Sequence, residues 1–190
     1  MSVIVRPARP GDSRMVFDWR NDPVTMRASR NTDEVTWETH QGWFAKVVSD
    51  PRRYLLVGEV PGPAAAEEPA GYVPGSGAGA AKGSAAGHEA IGVVRFDGLS
   101  AGSPDREPEM PAARWEVSIN LAPTARGRGL SVPLLRAGAA WLADVERAAE
   151  EVVAVVRTEN APSQRAFASA GYVYQSTADG WDSLVLRLKE

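Results

Sequence analysis

"LAPTARGRGLS", Leu121 to Ser131, decides how the chain is read. It closes the run "ARWEVSINLAP", where Trp115, Val117, Ile119 and Leu121 fall on one side and Glu116, Ser118 and Asn120 on the other, the period of a strand. It leads into "VPLLRAGAAWLADVERAAEE", Val132 to Glu151, which reads as a helix. A glycine turn between a strand and a helix presents unpaired N–H groups at the positive end of a helix dipole, and an anion such as phosphate is their natural ligand. Gly127 and Gly129 let the backbone approach that anion, and Arg126 and Arg128 add charge that can neutralise it. Neither G-x-x-x-x-G-K-[ST] nor G-x-G-x-x-G with a downstream ribose-binding acid is present. On the turn alone, a surface loop carrying two solvated arginines is an equally good reading.

Working outward, "EVVAVVR" supplies a buried strand, "NAPSQRAFASA" a short helix with Gly171 as its C′ residue, and "YVYQS" and "SLVLRL" two further strands. Strand, turn, helix and strand make a βαβ unit inside a mixed sheet. Upstream, "VIVRPA" reads as a first strand. A helix follows with Asp12 or Ser13 as N-cap, another starts at Asp22-Pro23, and a third is capped by Thr36, with Trp37, His40, Phe44 and Val47 at helical steps. "RYLLVGEV" and "AIGVVRFDGL" are strand-like neighbours. Between them, Pro61 to Glu89 has 20 Gly, Ala or Pro among 29 residues, too little apolar surface to offset its ordering entropy. We expect a single domain over 1–190 with a flexible insertion over 61–89.

Composition narrows the chemistry. A chain of 190 residues can bury roughly 70% of its unfolded surface in one core. The 21 basic and 24 acidic residues leave a net charge of −3, which argues against bulk attraction to nucleic acid. There is no cysteine, hence no thiolate nucleophile or Cys-ligated zinc, and His40 and His88 are too few for most imidazole sites. We therefore expect no metal, and assign His88 no role. Without a signal-like or membrane-length apolar run, the expected location is cytoplasmic, with no membrane partner.

Two segments carry a family resemblance. Arg126, Gly127, Arg128, Gly129, Leu130 and Ser131 resemble the [QR]-x-x-G-x-[GA] loop of the GNAT superfamily, the Gcn5-related N-acetyltransferases, with Ser131 where the family usually has Gly or Ala. "RTENAPSQRAFASAGY" is similar to the family's N-x-x-[SA]-x-x-x-[YF]-x-x-x-G-[FY] segment at Asn160, Ser163, Phe167, Gly171 and Tyr172. The resemblance implies an α/β (α+β) fold with a central mixed sheet split in a V and helices on both faces. It implies acetyl-CoA as donor, its pyrophosphate on the Arg126–Ser131 loop, its pantetheine beside Ile119, Asn120 and Leu121, and further contacts from Asn160, Ser163 and Phe167. "FDWRNDPVTMRAS" and "THQGWF" are similar to the members that acetylate amino-sugar nucleotides, as in the pseudaminic acid pathway, and more loosely to those that acetylate N-termini of ribosomal proteins.

Acetyl transfer to an amine needs a neutral amine, a polarised carbonyl and a proton for the leaving thiolate. Glu116 stands seven residues before Pro123, where some family members carry a glutamate base acting through water. The competing reading is a solvated Glu116, or one paired with Arg95 or Arg114. Backbone N–H groups near Leu121 would polarise the carbonyl. The tyrosine that many members use as acid is Phe167 here, which leaves Tyr172, Tyr174, a water or unassisted departure. The resemblance places Trp19, Arg20, Asn21, Arg27, His40 and Trp43 at the acceptor pocket, where aromatics would stack on a ring and arginines meet phosphate. Trp19 and Trp43 at helical spacing, and a lone His40, are equally at home in a core. The expected function is N-acetylation of a small-molecule amine, foremost an amino-sugar nucleotide. Protein N-terminal acetylation and CoA binding without turnover are the alternatives, with a homodimer left open.

Overall fold

The structure is a computed structural model that describes residues 2–62, 87–99 and 112–189. Seven strands form one sheet in the order β1-β2-β3-β4-β5-β7-β6. They are β1 (Ile4–Pro7), β2 (Arg53–Pro61), β3 (His88–Leu99), β4 (Arg114–Leu121), β5 (Glu151–Arg157), β6 (Val173–Ala178) and β7 (Trp181–Arg187). β4 and β5 run parallel, and the other neighbours are antiparallel.

Side-chain alternation separates two faces. Leu56, Val94, Phe96, Trp115, Val117, Val152, Ala154 and Val156 point to a core filled by Leu134, Leu135 and Leu142 of α4 (Ser131–Val145) and Phe167 of α5 (Ala161–Ala170). Leu55, Val57 and Val93 point the other way, onto Val16 of α1 (Ser13–Arg20) and Phe44 and Val47 of α3 (Trp37–Ser49). Gly138 lets α4 lie close to the sheet: a Cβ there would stand 2.8 Å from Val94 Cγ1.

The helix starts follow their caps. Asp22 accepts from the N–H groups of Val24 and Thr25 at the head of α2 (Pro23–Ala28), and Thr36 Oγ1 accepts from Thr39 N. α5 opens with Asn160 Oδ1 accepting from Ser163 N and closes on Gly171 at φ 109°.

Two boundaries differ from the sequence reading. α4 stops at Val145, not Glu151: Tyr54 Oη donates to Glu146, Ala149 is buried, and the N–H groups of Glu150 and Glu151 donate to Ala113 O. Those tertiary contacts override a sequence with good intrinsic helix propensity. Pro61, His88 and Glu89, assigned above to the insertion, are ladder residues, with Pro61 opposite His88 and Val60 opposite Glu89. The hairpin ends meet at Gly62 N to Gly87 O, 2.8 Å; residues 63–86 of the expected insertion lie outside the described residues.

Candidate active site

The ladder between β4 and β5 pairs Arg114 with Glu151 through Val117 with Ala154 and goes no further. Ser118 to Leu121 therefore diverge from Val155 to Arg157, and the sheet opens in a V between its two central strands. Leu121, at the mouth, is followed by a 3-10 turn (Pro123–Ala125) and then by the glycine loop.

Gly127 and Gly129 adopt φ +73° and +72°, the left-handed region that costs an L side chain roughly 1–2 kcal/mol. No heavy atom lies within 4 Å of where a Cβ would stand on either glycine, so both face open space. α4 begins at Leu130, an apolar N-cap with no side-chain capping bond, and its first intrahelical bond runs from Leu134 N to Leu130 O. The N–H groups of Leu130, Ser131 and Val132 are those a helix start leaves over, while Pro133 has none to satisfy. This is a cradle of donors at the positive end of a helix that packs on the sheet face carrying Val94 and Val117.

The two loop arginines differ from expectation. Arg126 Nη1 lies 2.6 Å from Asp22 Oδ1, and its Nη2 donates to Thr25 Oγ1 at 2.8 Å. Thr25 Oγ1 in turn donates to Asn120 Oδ1 at 2.9 Å, so loop, α2 and β4 are bolted together. Burial opposes ionisation of Asp22, but the Arg126 guanidinium and the N–H groups of Thr25 and Val24 outweigh it and hold the carboxyl below its usual range. Arg128 makes a two-pronged pair with Glu89 at 2.9 and 3.3 Å. Both guanidinium charges are thus matched by carboxylates, and the loop offers an anion backbone N–H groups in place of two free cations.

Glu116 lies opposite Asp97 in the ladder, and Asn120 opposite Val93, which sets Glu116, Ser118 and Asn120 on the α1–α3 face. Its carboxylate is 2.9 Å from Arg30 Nη2, so the ion pair considered in the sequence exists with a different partner; Arg95 pairs with Asp97 and Arg114 with Glu151. Arg30 borders a cleft of about 460 Å³ lined also by Val155, Ser176, Ala178, Asp179 and Trp181. The Arg157 guanidinium lies 4.7 Å from the centre of the Trp181 ring, and that of Arg30 lies 5.8 Å away. None of Arg30, Arg157 and Trp181 was singled out from the sequence. The register sets Arg157 opposite Trp181, a residue outside the run "SLVLRL" read as the last strand.

The residues expected at the acceptor pocket are not among the lining residues of this cleft. His40 is buried, its Nε2 2.9 Å from Ser13 O, with Phe17, Trp37, Trp43 and Phe44 around the ring. Burial pushes its imidazole below the ordinary value, against the Ser13 carbonyl and Asp18. It is a packed interior residue because three neighbouring helical positions are aromatic. Trp19 and Trp43 pack against the same core. Arg20 donates to Asn31 O at 2.8 Å, and Asn21 exchanges two bonds with Val35, so both tie down the segment between α2 and α3. Arg27 is exposed. On the far side of the V, Asn160 caps α5, Ser163 N is its partner, and Phe167, 4% exposed, meets Tyr172 edge-on at 5.0 Å. Tyr172 Oη is buried with no hydrogen-bond partner, and burial pushes its phenol well up. Tyr174 is exposed and bonded to Thr177 Oγ1.

A split sheet with a donor-lined helix start at its mouth is the architecture of an acyltransferase that holds a diphosphate-bearing cofactor. Residues 2–173 match the Acetyltransferase (GNAT) domain, and the chain belongs to that family. It is an acetyl-CoA-dependent N-acetyltransferase of the GNAT type. Similar folds are an aminoglycoside acetyltransferase solved with coenzyme A and kanamycin (18% identity, TM-score 0.67, 98% of this chain and 95% of that one) and the spermidine N-acetyltransferase of Vibrio cholerae solved with CoA and spermine (14%, 0.70, 98% and 96%). A Salmonella typhimurium protein solved with its cofactor acetyl-CoA is similar at 18%, 0.64, 100% and 96%. No curated protein matches the sequence. The open glycine cradle and the uncapped start of α4 fit the pyrophosphate of acetyl-CoA. Among the described residues no cluster of His, Asp or Glu could hold a metal ion, and no helix is long and apolar enough to cross a membrane.

Proposed function

We propose that the acceptor is the primary amine of an amino-sugar nucleotide, bound in the cleft between Arg30 and Trp181. The observation that carries this is a cleft lined by the Trp181 indole and Arg30, with Arg157 stacked on the same indole: a nucleotide sugar offers both a ring and phosphate. The sequence called for an aromatic and basic set, and the cleft has one from other residues.

In this reading the N–H groups of Leu130, Ser131 and Val132 and the turn at Gly127 and Gly129 bind the pyrophosphate, while Arg126 and Arg128 shape the loop. Ile119, Asn120 and Leu121 flank the pantetheine, with Asn160, Ser163 and Phe167 across the V. Bound acetyl-CoA supplies the thioester carbonyl carbon. Glu116, through a water, accepts the proton that leaves the neutral amine nitrogen as it attacks. Backbone N–H groups near Leu121 polarise the carbonyl as the C–N bond forms and the C–S bond breaks. The proton for the departing sulfur comes from water, or the thiolate leaves unassisted: Tyr174 is turned to solvent, and the Tyr172 phenol, pushed up by burial, is closed in the core against Phe167.

The test is a panel of UDP-linked amino sugars, their nucleotide-free counterparts and N-terminal peptides, each scored by kcat/KM with acetyl-CoA. A preference of at least about tenfold for the nucleotide-linked amine is expected, equal to about 1.4 kcal/mol. Equal rates on bare amino sugars, or a preference for peptides, would overturn it.

A further inference from the structure

We propose that Arg30 is an anion-operated latch on Glu116: a phosphate on the acceptor draws the guanidinium away and frees the carboxylate to take the proton. This rests on the reading of Glu116 as the base.

Three observations point to it. Arg30 borders the cleft and also reaches Glu116 at 2.9 Å, so one side chain belongs to both the acceptor space and the catalytic strand. The pair is open to water, Arg30 being 57% and Glu116 25% exposed, and ion pairs of that kind are weak. An incoming phosphate, with more charge and more acceptor oxygens than one carboxylate, competes well for the same fork. Finally, Arg30 follows Ser29, the C-cap residue of α2, whose carbonyl accepts from Arg157 Nη2 at 3.3 Å. The carbonyl preceding Arg30 is thereby held by the arginine stacked on Trp181, while the exposed Arg30 side chain touches both the carboxylate and the cleft.

The electrostatic surroundings suit an anionic amine. The charged groups lining the cleft are Arg30 and Asp179; Glu116 pairs with Arg30, Arg157 stacks on Trp181, and Asp182 is already engaged by Gln164 Nε2 at 2.7 Å and Thr177 Oγ1 at 2.5 Å. Once Glu116 turns to the amine, Arg30 and Arg157 remain to meet negative charge. A polycation would find two arginines in its way.

The experiment measures kcat/KM for a UDP-linked amino sugar, the matching amino-sugar 1-phosphate and the free amino sugar in wild type, Arg30→Ala and Arg30→Lys. Calorimetric acetyl-CoA affinity in each variant serves as the check on folding. Wild type should favour both phosphorylated amines over the free sugar by at least about tenfold. In Arg30→Ala that preference should fall below about threefold, because the phosphorylated amines slow and the free sugar, no longer facing a latched base, is acetylated faster. Arg30→Lys should keep the preference in part. A preference that survives in Arg30→Ala, or a loss of rate that is equal for all three amines, would overturn the latch. Failure of the underlying reading looks different: Glu116→Gln would then leave every rate unchanged whatever stands at 30.

Discussion

Arg126 Nη1 lies 2.6 Å from Asp22 Oδ1, which joins the glycine loop to the N-cap of α2. The shape of the loop and the position of α2 are therefore mechanically coupled. Arg126→Ala and Asp22→Asn should each weaken acetyl-CoA binding about three- to tenfold by loosening a preorganised loop. The double variant should be no worse than either single one, since both remove one link. Additive losses by calorimetry would mean that Arg126 touches the cofactor directly. Because the Asp22 carboxyl is held below its usual range, the link's contribution is complete above about pH 4 and is lost as pH falls through the lowered folded value.

Glu116→Gln keeps the size and hydrogen bonding of the side chain but cannot accept a proton. We expect kcat/KM at neutral pH to fall by about 10² to 10⁴, with partial recovery at high pH where the amine deprotonates itself. Wild-type rates at pH 7 would place the base elsewhere.

His40 gives the fold a pH dependence unconnected with catalysis. Its folded pKa is lowered by burial, so the unfolded chain binds the proton more readily. Stability is full above about pH 6.5 and declines as pH falls from there toward the folded value. Urea unfolding at pH 7.5, 6.0 and 5.0 should show a steeper decline for wild type than for His40→Gln. Parallel declines would show that other groups dominate.

Gly62 N and Gly87 O are already hydrogen-bonded across the hairpin, so the chain between them can be shortened without moving its ends. Replacing residues 63–86 by Asn-Gly should shift the melting temperature by only a few degrees, because closure entropy changes slowly with loop length. An insoluble product would show that the segment packs.

How far the sequence could be read follows the range of the interactions. β5 stands at Glu151–Arg157 as its apolar run indicated, and α5 lies between the Asn160 cap and Gly171, because caps and periodicity are local. The glycine loop was legible for the same reason, since φ near +72° demands glycine whatever surrounds it. What the arginines of that loop do was not, because Asp22 and Glu89 are brought to them only by folding. The end of α4 depended on Tyr54 and Ala113, both remote in sequence. His40 and Trp181 show the same limit from two sides. One looked like a pocket residue and is enclosed by aromatics; the other lies outside the run read as the last strand and lines the cleft.

Calorimetric titration of acetyl-CoA into wild type and Gly129→Glu tests the cofactor loop most directly. A glutamate at φ +72° carries bulk and negative charge into the open cradle where the pyrophosphate would lie. Wild type should bind one equivalent, and the variant, still folded by circular dichroism, should give no binding heat. Equal affinity in the folded variant would contradict the placement of the cofactor on the Arg126–Ser131 loop.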